Sequence, residues 1–389
     1  MKVNHMVDYC RGTFAAGHGL KRVGNQKRTT TMLKPRALWI ATLGIAFSMT
    51  LAARTQLEST APAPAQEADD TLETVLVSGD QPGPGLWKVS RDDHVMWILG
   101  TVRPLPKDMR WRSERVEALI AGSQELLYPA RVNVTVDIGL LRGLTLLPAL
   151  IKAGKNPNDA KLRDVLPADT YAKWLVLKKK HMGDNDRVEK MRPTFAAADL
   201  LVAATRKSEL TYSTDVRAVV NDAARKHKVR IHRLPEVTRK FPVKNARGVL
   251  KTASKTDLGD GECFNRSMDL LEARIEAMKL RANAWAKGDL EALRNAGSGV
   301  RNDDCMAALM NSLAAGTLAT DAGTQREIDN MNRQAELAET QAEQDWLGAA
   351  QAALATNQTT VAVLPIENLL RPDGYAARLR ERGYAVEEP

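Results

Sequence analysis

The chain has 389 residues, 44% of them hydrophobic and 26% charged, a composition that supports one large core or two modest ones and excludes a disordered chain. Its net charge is +9, but the first 53 residues hold eight basic side chains (Lys2, Arg11, Lys21, Arg22, Lys27, Arg28, Lys34 and Arg36) against one acid, Asp8. That segment accounts for +7 and leaves only +2 for the rest, so the body offers no basic footprint for nucleic acid, and none is expected as a partner.

Residues 1–31 read as an N-terminal extension or a mis-called start, with Met32 as the alternative first residue. Residues 32–53 read as a signal peptide: Lys34 and Arg36 precede a 17-residue uncharged stretch, Ala37 to Ala53, that ends in small residues suited to cleavage. The stretch is short for a permanent membrane span, so membrane attachment is expected only if it stays uncleaved. Residues 54–80, rich in Ala, Pro, Thr and acids, read as a linker, and residues 81–389 as the folded domain.

Two β-prone runs, LWKVS from Leu86 and HVMWILGT from His94, flank the turn-like RDD and predict a hairpin. RSERVEALIAGS sets Val116, Leu119 and Ile120 on one face of a helix ended by Gly122. ELLYPARV is the next strand, with Pro129 inside it. A large helical middle follows, interrupted by the strand KVRIHRLPEV, and Thr324 to Ala355 reads as one long helix. TTVAVLPIENLL is a buried strand running into a loop, and DGYAARLRERGYAVEEP is a helix capped at Gly383 with a closing strand. The expected fold is α/β (α+β), with a sheet built from the N- and C-terminal strand segments around that helical middle.

The chain is similar to the TraB/GumN (Tiki-like) family, which opens on LW(K/R)V…LxGTxH and closes on VAVxGxxHLLxxDGxLxxLRxxGYxV. Here the corresponding segments read LWKVSRDDHVMWILGTVR and VAVLPIENLLRPDGYAARLRERGYAVE, with further likeness in AWAKGDLEAL and its flanking cysteines. The resemblance spans roughly residues 86–389 and implies a divalent-metal hydrolase, since Tiki-like relatives cut peptide bonds. A histidine at the end of each GxxH strand would project an imidazole toward the metal, and the metal would lower the pKa of a bound water.

Each ligand position departs from that pattern. The first motif keeps Gly100 but puts Arg103 in place of histidine, a permanent cation that cannot ligate. The second puts Pro365 in place of glycine and Asn368 in place of histidine, and an amide oxygen is a weak ligand for zinc, cobalt or manganese. The acid expected after the second strand falls at Pro129, and the late Arg-Asn pair near Ala342 and Glu343. No metal or other cofactor is therefore expected.

Other chemistry has little support in the residues. His94, His181, His227 and His232 lie at strand starts, helix ends and a strand face, where a satisfied or exposed role outweighs catalysis. The seven tryptophans, Trp97, Trp111, Trp174, Trp285 and Trp346 among them, are scattered and read as packing. A rebuilt polar site is conceivable in which Arg103 pairs with Glu236 or Glu367 where an ion once sat. Cys263 and Cys305 are expected to pair, closing a loop of about 42 residues whose entropy is worth roughly 4 kcal/mol, with two free buried thiols as the alternative. The expected function is an exported, periplasmic or secreted protein, catalytically degenerate, that binds an envelope protein or peptide. The alternative is a metal-dependent hydrolase, a peptidase, with a rearranged site.

Overall fold

A computed structural model describes residues 74–137, 140–212, 216–242, 251, 254–255, 260–298 and 322–389. The leader, the Ala37 to Ala53 stretch, most of the expected linker, and Cys305 lie outside the described residues. Where the linker was expected to continue, residues 74–81 are tied to the domain. The Thr74 N–H donates to Glu276, the Val77 N–H donates to Asn283 at 2.9 Å, and β1 (Gly79–Gln81) pairs in parallel with residues 109–111.

Alternating apolar residues then give the expected hairpin, β2 (Leu86–Arg91) and β3 (His94–Thr101), closed at a turn where Asp92 takes φ 54°. The inward residues Trp87, Val89, Met96, Ile98 and Leu99 are buried. Two short strands follow, β4 (Leu105–Pro106) and β5 (Met109–Trp111), before helix α1 (Glu114–Ala121) buries Val116 and Ile120.

The run expected as one strand around Pro129 is two, β6 (Glu125–Tyr128) and β7 (Val132–Asp137). Helices α2 (Leu140–Ala153), α3 (Leu162–Val165), α4 (Ala168–Met182) and α5 (Pro193–Lys207) come next, then β8 (Leu210–Thr211), which pairs with β4, and α6 (Val216–Lys226). The chain returns as β9 (Arg230–Arg233) and β10 (Val237–Pro242). Tyr128 pairs with Arg233 and Val132 with Val237 in one unbroken register, so β6–β7 and β9–β10 form a single parallel ribbon interrupted midway. Pro129 and Pro235 lie in the gap, and neither has an N–H to give the ladder.

Helices α7 (Gly261–Asp269), α8 (Leu271–Lys287) and α9 (Leu290–Ser298) precede the long α10 (Ala322–Thr356). The chain closes with β11 (Thr359–Pro365), α11 (Ile366–Leu370), α12 (Tyr375–Glu381) and β12 (Ala385–Glu387). The main sheet runs β12-β2-β3-β11-β6-β9. Strands β3, β11, β6 and β9 are parallel, while β2 and β12 are antiparallel additions. The terminal segments therefore build the sheet together, as expected.

Two cores result. One packs the sheet between its helices and includes Trp87, Trp285 and Trp346; α10 contributes a stripe at Ala338, Ala342, Trp346, Ala350 and Leu354, spaced four apart, whose alanines let the helix lie close. The other gathers Leu162, Trp174, Leu200, Phe264 and Ile275 from the helical middle, with the Trp174 and Phe264 rings 5.5 Å apart. Each fully buried aliphatic side chain contributes about 1.5–3 kcal/mol.

The turn in RPDGY needs a glycine. A Cβ on Gly374 would collide with the Asn368 carbonyl oxygen, while one on Gly348, on the exposed side of α10, would meet nothing. Replacing each by alanine is predicted to have opposite effects in urea melts. Gly348→Ala should stabilise by about 1 kcal/mol and Gly374→Ala destabilise by about 2 kcal/mol; equal effects would show that the close approach at Gly374 is not a constraint.

Candidate functional site

Ligand sites in open parallel sheets lie beyond the carboxyl ends of the strands. In this sheet Thr101 at the end of β3 stands opposite Pro365 at the end of β11, and β6 and β9 end beside them at Tyr128 and Arg233. The topology thus brings Arg103, Pro129, Glu236, Pro365, Glu367 and Asn368 to the same edge from four separate stretches of sequence.

What fixes this edge is packing. The Gly100 carbonyl accepts a hydrogen bond from Trp285 Nε1 on α8 at 2.8 Å. A Cβ there would lie 2.9 Å from Ile366 and 3.0 Å from Trp87, so the glycine makes room for two core side chains. Thr101 Oγ1 donates to the Leu364 carbonyl at 3.2 Å and clamps the two strand ends. Val102 is buried, whereas Arg103, joined to Pro104 by a cis bond, is exposed. Pro365, with φ −58°, directs the chain from β11 into α11, which buries Ile366 and Leu369. Asn368 is half-buried, and Glu367 is exposed.

The carboxylates at this edge have partners that sequence reading did not supply. Glu367 pairs with Arg281 of α8, and Glu236, in the turn between β9 and β10, accepts from Thr238 Oγ1 at 3.2 Å. Arg371 binds Asp373 through two hydrogen bonds of 3.1 Å, holding the Asp373 carboxyl below its ordinary value. Glu339 on α10 is shifted the other way: burial raises its carboxyl, with Arg371 acting against it. Of the late pair, Ala342 is buried and Glu343 contacts Arg378 at 3.5 Å.

A catalytic divalent metal needs about three deprotonated donors around one point. The positions that the resemblance assigns to the two histidines and the acid hold a guanidinium, an amide and a proline (Arg103, Asn368 and Pro129). Among the described residues no group of three His, Cys, Asp or Glu side chains is arranged to hold a metal. These donors do not fit the ion.

The histidines lie elsewhere. His94 Nδ1 is 2.7 Å from the Asn357 carbonyl, at the amino end of the sheet, and His181 Nε2 is 3.1 Å from Glu272. His227 follows the last residue of α6, its N–H bonded to Ala223. His232 Nδ1 meets Glu125, whose carboxylate is only 3% exposed and also binds Arg230 at 2.8 Å and the Asn357 amide at 3.0 Å. Asn357 in turn donates to Thr360 at 3.1 Å. This polar knot ties β6, β9 and the start of β11 and satisfies His232 on its strand face. Its members lie up to 235 positions apart, so no local pattern announces it.

A family model described as the TraB/PrgY/gumN family matches residues 85–388. No curated protein and no solved structure matches.

Burial opposes ionisation of Glu125, but the bonds from Arg230, His232 and Asn357 outweigh it and hold the carboxyl below its ordinary value. A depressed carboxyl contributes its full stability above the unfolded-state value of 4.5 and loses it as the pH falls through the folded-state value. Stability should therefore fall as the pH is taken below the ordinary carboxyl range, and Glu125→Gln should flatten that limb. Parallel acid limbs in the two proteins would assign the loss to other groups.

Proposed function

The chain belongs to the TraB/PrgY/gumN family, and from that premise we propose that it is an exported member whose hydrolytic site has been lost and whose sheet edge serves to bind an envelope protein or peptide. The observation that carries this reading is the exchange of donors at an otherwise preserved edge. Arg103 holds a permanent positive charge where an imidazole would face the metal, and Pro365 and Asn368 replace the second motif. Gly100, Ile366, Trp87 and Trp285 keep the backbone there in place.

Such an edge has features of a recognition surface. Arg103 and Glu367 are exposed and Asn368 is half-buried, so an extended chain laid along this edge would meet a cation, a carboxylate already paired with Arg281, and an amide. Export is supported by the basic leader ahead of Ala37 to Ala53. It is also in keeping with a proposed bond between Cys263 and Cys305, which an oxidising compartment would preserve.

The test is to express the full chain with its own leader, recover it from the periplasmic fraction, weigh it intact, and incubate it with a peptide pool in zinc, cobalt or manganese. The expected product starts at Arg54, lacks the two hydrogens of a thiol pair, and leaves the peptides uncut. Metal-dependent cleavage would overturn the loss of chemistry and indicate a peptidase with a rearranged site. A full-length chain retained in the cytoplasm would overturn export.

A further inference from the structure

Helix α2 follows β7 and is fixed at its carboxyl end. The Arg192 Nε donates to the Ala153 carbonyl at 2.9 Å, the Arg192 N–H to Gly154 at 3.1 Å, and the Asn156 N–H to Lys190 at 3.0 Å. Lys155 and Met191 complete the attachment as an antiparallel bridge. Leu146 and Ala153, seven positions apart, face inward and are buried. Leu147, Leu150 and Ile151, at i, i+3 and i+4, form an adjoining stripe that is 40%, 55% and 59% exposed. Three large aliphatic side chains thus share one outward face of a helix held firmly from behind.

We propose that α2 lays this face into an anionic lipid surface. Between Asp137 and Asp159, which bound the segment, the only charged residues are Arg142, Lys152 and Lys155, all basic, so the helix itself carries no carboxylate to repel phosphate headgroups. Lys152 is exposed, and Lys155 reaches Asp159 at 3.5 Å, across an exposed pair that solvent screens. Fourteen residues span about 21 Å, too little to cross a bilayer, so the helix lies in the plane of the interface. Among the described residues no helix is long and apolar enough to cross a membrane. This contact is distinct from the leader and does not rest on the reading of the sheet edge.

Hydrogen–deuterium exchange on the full chain, with vesicles of phosphatidylglycerol and phosphatidylcholine or of phosphatidylcholine alone, reads α2 whatever the leader does. With anionic vesicles in excess the amides of residues 140–153 should exchange about tenfold more slowly, as expected for a helix bound nine-tenths of the time, and neutral vesicles should have little effect. Leu147→Asp with Ile151→Asp should abolish that protection while β3 and β11 exchange as before; both side chains are exposed, so the fold tolerates the change. The proposal is overturned if anionic vesicles leave residues 140–153 unprotected, or if protection appears without lipid and rises with protein concentration, the signature of a second copy.

Discussion

The pairing of β3 with β11 is the contact on which the rest of the fold depends. Residues 95–101 lie parallel to 359–365 through seven consecutive partners, joining segments separated by 264 positions. A parallel pair of this kind cannot form from a local turn, and its closure must be repaid by burial. The repayment is visible in Met96, Ile98, Leu99 and Val361 to Leu364, all nearly inaccessible to water. With β3 and β11 joined, β2 and β12 complete one flank and β6 and β9 the other. Every residue of the candidate site then falls at one edge without further instruction.

That edge separates two demands that sequence motifs usually confound. A strand-end glycine can serve a ligand by letting backbone approach it, or serve the core by leaving room for neighbours. Gly100 serves the core, through Ile366, Trp87 and the bond from Trp285. The same holds for Gly374, whose missing side chain admits the Asn368 carbonyl. Architecture of this kind is retained whether or not a metal is bound, because its loss would cost stability directly. Ligand side chains carry no such protection, and an exposed Arg103 or half-buried Asn368 can replace a histidine without disturbing the sheet.

Much of the fold was legible in the sequence because it is written in local runs. Short apolar, β-prone runs marked β2, β3 and β11, and an unbroken Glu/Gln/Ala-rich stretch from Thr324 to Ala355 marked α10. The break at Pro129 was half legible: the proline was visible, but that Pro235 falls in the same gap on the facing strand, one register position on, is a fact of the closed sheet. Ion pairs such as Arg281 with Glu367, and the Glu125 knot, could not be read, since they join residues whose proximity exists only after the sheet has closed. The exposure of Leu147, Leu150 and Ile151 was equally hidden, because an apolar stripe looks the same whether it faces a core or a solvent.

The central claim is that the sheet edge keeps its shape but has lost its affinity for a divalent ion. Anomalous diffraction at the cobalt edge, from crystals of the unaltered protein soaked in cobalt, addresses it directly. The account predicts no anomalous peak within coordinating distance of Asn368, Pro365 or Arg103. A strong peak there, ligated by side chains drawn in from α10 or the β9–β10 turn, would contradict it and restore a metal centre to this edge.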